Sequence, residues 1–476
     1  MSKPNFLLIT TDQQRFDTIA ALGNPYIFTP HLNWLADEGI AFTRCYSDCP
    51  VCMPARATIM TGLTGFHHGL VGNAENVLPM KDRPTLPGLL TASGYQTRAE
   101  GKLHFAPMRT TYGIEHADLP MDYFNEMRRY GRPSTRMHGI GENEMEPAIN
   151  TIPENDTLTH WIVDKSIDFL ENRDTTRPFF LWTSFTKPHP PFDPSLAYWE
   201  LYRNMELPEP VIGDWACEPG TPPNGFYKPT LQLNRIERFS SEHVLQAKRA
   251  YYACISQIDY NLGLLFARMR ELNLLENTWI FFTSDHGELL GDHYMGAKSI
   301  FLEGSNHIPL LIKPPSKFGT SHPVWSELRC DKLVTLADIM PTILSLANIQ
   351  IPENLDGQNL LSYINNDDEQ TIIGDCEHCY LSVIRGWYKY TWSRLGGDEL
   401  LFDLKNDPWE LHNLSRSNDF QILRNDLRRI LVEHAKNFIP DAVEDDDLIA
   451  QPGIKNVHIP RFPGLNTTIF PRDSFH

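Results

Sequence analysis

The sequence contains no long hydrophobic run. No window approaches the ~18 consecutive apolar residues of a membrane-spanning helix, so no membrane partner is expected for this chain of 476 residues. The start, MSKPNFLLITTDQQR, turns polar too soon for a signal-peptide core and offers no small-residue cleavage site. A cytoplasmic location is therefore expected. An export signal already trimmed away would leave the same start, and the location would then be periplasmic or secreted. Basic residues are also scarce. Lys and Arg number 42 against 60 Asp and Glu, a formal net charge of −18, which excludes a nucleic-acid partner. A local cluster of cations can still oppose that global sign for a small anionic substrate. The eight cysteines (45, 49, 52, 217, 254, 330, 376 and 379) are too sparse for a disulfide scaffold. Cys376-Glu377-His378-Cys379 has no second pair at zinc-site spacing, so ordinary reduced thiols are expected there. No internal repeat is present.

What remains has the composition of a soluble globular protein, 41% hydrophobic and 21% charged, with room for a large domain and a smaller one. Three apolar runs read as buried parallel strands: Phe6–Ile9, Phe179–Trp182 and Trp279–Thr283. Each ends in a polar cluster, TTDQQR, SFTKPHPPF and SDHGELLGDH. Ligands of open α/β sheets bind beyond the carboxyl ends of the strands, so this is a site signal as well as a fold signal. Helical patterns alternate with the strands at Pro30–Asp37, Leu158–Asn172 and Ser241–Leu272, while about Pro120 to Thr230 is Pro- and Gly-rich and reads as loops decorating the sheet. The pattern changes near Asn365–Glu369. CYLSVIRGWYKYTWSR and ELLFDL read as antiparallel strands with Gly396-Gly397 in a turn, and NDFQILRNDLRRILVEHAKNF as an amphipathic helix. An α/β catalytic domain over 1–366 is therefore expected, followed by a subdomain over 367–476. The latter holds an antiparallel sheet of the four-stranded type, a helix and an extended tail. The acidic run Glu444–Asp447 is expected to lie extended over the surface or against a partner, and the tail after Phe438 to support a homodimer.

Within SDCPVCMPARATIMTG, Pro54–Met60 reads as a helix with proline in its first turn and Gly62 as its stop. Cys52 then sits at the helix N-terminus, where free N–H groups and the dipole favour an anion. Other residues are ambiguous one by one. Asp12 suits a helix cap, Asp285-His286-Gly287 a turn, Lys102 and His104 in GKLHF a surface pair, and His189 in PHPP a locked loop. Taken together they suggest more. Asp12, Gln13, Asp285 and His286 are ligand types for a divalent cation. Arg56, Lys102, His104, His189 and Lys298 add cationic or proton-donating groups. A cation site and several positive groups around a helix N-terminus suit a tetrahedral oxyanion.

Cys52-Met53-Pro54-Ala55-Arg56 with Thr61-Gly62 resembles the C-x-P-x-R signature of the type I sulfatases of the alkaline-phosphatase superfamily. FTSDHGELLGDH with GAKSIFLEGSNHIPLLIK is similar to that family's second metal-binding segment, and GKLHF and TKPHPPF match two further blocks in the expected order, the likeness covering about residues 4 to 345. The resemblance implies a large mixed, mostly parallel sheet between helical layers. It implies a sulfatase acting on a small-molecule or oligosaccharide sulfate ester, with Cys52 oxidised to formylglycine by an activating enzyme. It further implies one divalent metal on Asp12, Gln13, Asp285, His286 and the converted Cys52. Arg56 and Lys102 would hold the hydrated aldehyde, and His104 would deprotonate its second hydroxyl. His189 and Lys298 would contact the sulfate and protonate the leaving alcohol, and Asn73 would reach the substrate. Many family members carry Asp at the position of Gln13 and Asn at that of His286; the two neutral groups here leave two protein carboxylates, which softens the usual case for calcium, still the expected ion, and admits manganese. The Asp-Gln and Asp-His set also resembles phosphonate and phosphodiester hydrolases of the same superfamily, the first alternative. The second is a non-catalytic carbohydrate-binding relative.

Overall fold

The structure, a computed structural model, describes residues 3–74, 80, 82–134, 143, 145–216, 226, 240–319, 328–365 and 369–451. The expected boundary at 366/367, Cys217, part of the loop-rich region between 120 and 230, and the chain beyond Gln451 lie outside the described residues.

The three apolar runs become neighbouring central strands. Eight strands form the main sheet: β1 (Asn5–Asp12), β2 (Ile40–Tyr46), β3 (Gln96–Gly101), β4 (His116–Asp118), β5 (Phe179–Pro188), β6 (Thr278–Ser284), β7 (His307–Lys313) and β8 (Leu328–Thr335). Their order is β4-β3-β5-β1-β6-β7-β2-β8. Only β7 runs against the others, pairing antiparallel with β6 and β2. The sheet is mixed and mostly parallel, as expected.

Burial on both faces explains why these strands read as continuous apolar runs instead of alternating ones. Phe6, Leu8, Phe180, Trp182, Phe281 and Leu310 point to one core, which the Cys52–Thr61 and Ile339–Leu346 helices cover. Leu7, Ile9, Leu181, Ile280, Phe282 and Leu311 point to the other, covered by the Leu158–Asn172 and Ser241–Glu271 helices. Trp182 is fully enclosed, and truncating such a side chain to alanine costs about 3–5 kcal/mol.

The three helical patterns read from the sequence appear at Pro30–Asp37, Leu158–Asn172 and Ser241–Glu271. The loop-rich stretch differs from expectation at Pro120–Arg129, which is a helix with Pro120 in its first turn and Tyr123, Phe124 and Met127 buried. Its proline sits where the missing N–H costs nothing.

Beyond the main sheet lie β9 (Thr371–Cys376), β10 (Tyr380–Arg385), β11 (Tyr388–Ser393) and β12 (Glu399–Asp403), in antiparallel order β12-β11-β10-β9. Gly396 and Gly397 both have positive φ in the turn before β12. Alternation along these strands splits their side chains between two contacts. Leu381, Val383, Tyr390, Trp392 and Leu401 face the Gln421–Phe438 helix. Tyr380, Ile384, Leu400 and Phe402 instead share a core with Tyr46, Val51, Leu289 and Phe301 of the main domain. Lys389 is buried in that seam between Glu303 (2.6 Å) and Glu410 (2.8 Å). The acidic run corrects an expectation. Val443–Glu444 and Asp447–Leu448 pair as a small hairpin, tied to the preceding helix by Arg428–Asp447 (2.7 Å) and Lys436–Asp446 (2.9 Å). The nearby basic residues on the helix hold these acids against the fold.

Candidate active site

The carboxyl ends of four adjacent strands, β3, β5, β1 and β6, deliver most of the site. Asp12 is the last residue of β1, Asp285 and His286 follow β6, Lys102 follows β3, and His189 follows β5. Cys52 opens the helix after β2 at its first helical position, with Val51 extended ahead of it and Gly62 left-handed at its end. Close approach at the end of β3 requires glycine. Gly101 has φ +99°, and a Cβ there would lie 2.0 Å from the Ser184 carbonyl oxygen.

Asp12, Cys52, Asp285 and His286 are all buried, and one donor atom from each falls within 4.8 Å of the others. Cys52 Sγ lies 3.2 Å from His286 Nε2 and 3.7 Å from Asp12 Oδ1. His286 Nε2 is 3.8 Å from Asp12 Oδ1 and 3.7 Å from Asp285 Oδ1. Its other ring nitrogen meets the Gly287 carbonyl at 3.0 Å. That contact makes Nδ1 a donor and turns Nε2 toward Cys52 and the carboxylates. Two carboxylates, an imidazole nitrogen and a sulfur converging in a buried space form a donor set suited to a divalent cation.

Cations surround this cluster. Arg56 is fully enclosed and donates from Nε to Asp285 Oδ2 at 3.0 Å and from Nη1 to Ser184 Oγ at 2.8 Å. Its Nη2 makes no hydrogen bond among the described residues and lies 3.6 Å from Asp12 Oδ2. Lys102 forms an ion pair with Asp12 Oδ2, and Lys298 donates to the Gln13 side-chain oxygen. Burial would push the Asp12 carboxyl up, but Lys102, His189, Arg56 and His286 outweigh it and hold the group well below the usual carboxylate range. Burial and Asp12 would both raise the Cys52 thiol, yet Lys102, Lys298 and His286 bring it below its ordinary value. Burial, then Asp285 and Cys52 acting against it, leave His286 raised.

The two remaining histidines move the other way. Burial and then Lys102 push His104 well below the ordinary imidazole range, and burial and then Lys298 do the same to His189. In both rings the neutral form is favoured. His189 Nδ1 meets the Pro190 carbonyl at 3.0 Å, which fixes it as the donor. His104, at φ +58°, has a buried Nδ1 with no hydrogen-bond partner among the described residues. Lys102 and His104 are therefore not a surface pair. Asn73 stands one step out, its side-chain oxygen accepting the Met53 N–H at 3.1 Å beside Cys52.

Sequence reasoning missed Ser184 and Glu288. Ser184 Oγ donates to the Lys102 carbonyl at 2.6 Å while accepting from Arg56, tying the two cations together. Glu288 accepts from the Gln13 side chain. Ser184 lies within β5 and Glu288 in the loop after β6, but small or acidic residues there carry no signal of their own without contacts.

Parallel strands whose carboxyl ends converge on a buried Asp/Asp/His/Cys donor set ringed by cations define an alkaline-phosphatase-like α/β hydrolase site. The sulfatase family model matches residues 4–349, and the chain belongs to that family. An arylsulfatase of Clostridium perfringens (strain 13 / Type A) is 33% identical over 465 residues, covering 90% of this chain and 94% of the relative. The phosphonate monoester hydrolase of Agrobacterium radiobacter superposes with a TM-score of 0.78 at 23% identity, covering 94% of this chain and 100% of its own. A solved structure in complex with its substrate D-glucosamine-2-N,6-O-disulfate superposes at 0.73 with 22% identity, covering 93% and 100%. The chain is a sulfuric ester hydrolase.

Proposed function

We propose that this enzyme cleaves sulfate monoesters, of a sulfated carbohydrate in particular, through a formylglycine made from Cys52 by an activating enzyme. The observation that carries this reading is the placement of Cys52. It opens a helix inside the donor cluster, 3.2 Å from His286 Nε2, with Arg56 and Lys102 at hand. A thiolate attacking sulfur would form a thiosulfate ester with no exit, whereas a hydrated aldehyde has a second hydroxyl to eject the sulfate. The carbohydrate part is supported by the sulfated glucosamine bound in a protein of the same fold.

A divalent ion on Asp12, Gln13, Asp285, His286 and the converted residue 52 would supply Lewis-acid polarisation of the sulfate and lower the pKa of the attacking hydroxyl. Arg56 and Lys102 hold the diol and the charge that develops on it. One hydroxyl attacks sulfur while the ester oxygen departs, taking a proton from the Lys298 ammonium; His189, whose N–H is held by the Pro190 carbonyl, lines the same side. That proton matters most for a sugar alcohol, whose alkoxide leaves poorly. His104 then takes the proton of the second hydroxyl, the carbon–oxygen bond to sulfate breaks, and the aldehyde returns. Water rehydrates it.

The test is to express the chain with and without an activating enzyme, and to compare specific activity with the aldehyde content of the Cys52 peptide by mass spectrometry. Activity should rise in proportion to conversion. Full activity in a sample retaining only cysteine would overturn the formylglycine assignment. Screening sulfated mono- and oligosaccharides tests the carbohydrate assignment, which fails if only aryl sulfates turn over.

Asp12→Asn and Asp285→Asn should each weaken metal binding, because each removes one of only two carboxylates in the donor set. Chelation should inactivate the wild type, with calcium or manganese restoring it. Full activity of an enzyme shown by elemental analysis to be metal-free would contradict the metal assignment.

A second reading, phosphonate or phosphodiester monoester hydrolysis, is favoured by the neutral Gln13 and His286 in the ligand set and by the phosphonate hydrolase among the structural neighbours. Lys102 and His104 weigh against it.

A further inference from the structure

Glu288 lies two residues beyond His286, in the loop that follows β6, and is completely buried. One carboxylate oxygen, Oε1, accepts the backbone N–H groups of Leu290 (3.0 Å) and Ala297. The other, Oε2, accepts the side-chain Nε2–H of Gln13. On its opposite side the Gln13 amide oxygen accepts from Lys298 Nζ.

Chemistry alone sets the orientation of that amide. A carboxylate only accepts and an ammonium only donates. The NH2 of Gln13 must therefore face Glu288 and its oxygen must face Lys298, a cation near enough to Cys52 to lower its thiol. The Gln13 backbone is pinned as well. Its φ is +74°, uncommon for a residue with a side chain. Its N–H donates to Asp285 Oδ1 at 3.0 Å and its carbonyl accepts the Tyr251 hydroxyl at 2.6 Å. The contacts close a circuit, since Ala297, held by Glu288, directly precedes Lys298.

We propose that Glu288 is the positioning residue that makes Gln13 a metal ligand, by holding the amide so that its oxygen and not its nitrogen faces the cation site. The inference rests on the metal-centre reading given above. It also accounts for glutamine at this position. A carboxylate at residue 13 would meet the Glu288 carboxylate in a buried space, where like charges repel strongly. Glutamine instead donates to Glu288 and keeps an oxygen for the metal. Because Glu288 also fixes Ala297, the same carboxylate sets the loop that carries Lys298.

The test is metal binding by calorimetry on chelator-stripped protein, titrating calcium and manganese separately. In Glu288→Gln the new amide oxygen must stay on the Leu290 and Ala297 N–H groups, so its NH2 meets the NH2 of Gln13. Gln13 should then turn over and present nitrogen to the metal, weakening affinity by about 10- to 100-fold, the usual effect of losing such a support. Gln13→Glu alone should also lose affinity through carboxylate repulsion. The double variant Gln13→Glu with Glu288→Gln restores a donor facing an acceptor. It should recover wild-type affinity and favour calcium more than the wild type does, having gained a carboxylate ligand. Wild-type affinity in Glu288→Gln would overturn the positioning role while leaving the metal centre standing. Equal loss in the single and double variants would also overturn it, by pointing to disrupted packing. A wild type that takes up neither ion would overturn the metal-centre reading and this inference with it.

Discussion

Cys52→Ala is expected to reduce sulfatase turnover to the uncatalysed rate while leaving the fold in place. The two halves of that expectation have separate physical causes. Cys52 occupies the first helical position, and alanine is the best helix former. The start of the helix is secured by other contacts, since Asn73 accepts the Met53 N–H and Val51 accepts the Ala55 N–H at 3.1 Å. Among the described residues the sulfur meets only His286 and Asp12 as hydrogen-bonding groups, so removing it strands no other buried donor there. The chemistry, in contrast, loses its nucleophile whether the residue acts as the aldehyde hydrate or as the thiol. A fall of at least ~10⁶-fold, the lower range of enzymatic acceleration, is expected. Initial rates on an aryl sulfate with pure protein, alongside the melting transition, check both halves. Appreciable residual activity in a folded sample would remove residue 52 from the mechanism.

His104→Ala should separate the two chemical steps. Burial and Lys102 favour the neutral form of the His104 ring, and its Nδ1 has no hydrogen-bond partner among the described residues. A neutral imidazole with a free nitrogen can accept a proton. In its absence sulfate can still be transferred to residue 52, because Arg56, Lys102 and the ligand set are intact. Its release is what fails. Steady-state turnover should drop by about 10²- to 10⁴-fold, the range for a positioned acid–base group. The first turnover should survive as a burst of about one equivalent of leaving group, with sulfate retained on residue 52 in the mass spectrum. Wild-type turnover without an adduct would make His104 a structural residue and weaken the case for a sulfatase over a phosphonate hydrolase.

The residues that sequence reasoning found are those whose chemistry is unusual for their position. Asp12, Asp285 and His286 stand directly after runs that are apolar on both faces, where a polar residue needs a reason. The strands were legible for the same cause: burial on two faces removes the alternation and leaves an unbroken run such as Phe179–Trp182. The Pro120–Arg129 helix was not, because glycine- and proline-rich neighbours mask a short amphipathic turn whose proline marks its start. The hairpin at Val443–Leu448 was missed because its acids are stabilised by Arg428 and Lys436, a tertiary effect with no local pattern. Ser184 and Glu288 escaped for a related reason. A serine or a glutamate gains a role only from the partner it meets, and Gln13 is 275 positions away from Glu288 along the chain.

The ratio of kcat/KM on an aryl sulfate and on the matched aryl phosphonate monoester, measured on protein with a known degree of Cys52 conversion, decides between the two hydrolytic readings. On the proposed mechanism Lys102 and His104 would serve the handling and elimination of a sulfated hydrate, so the sulfate ester should be the preferred substrate by a wide margin. A preference for the phosphonate ester in fully converted, metal-loaded enzyme would contradict the assignment of this site to sulfate monoesters.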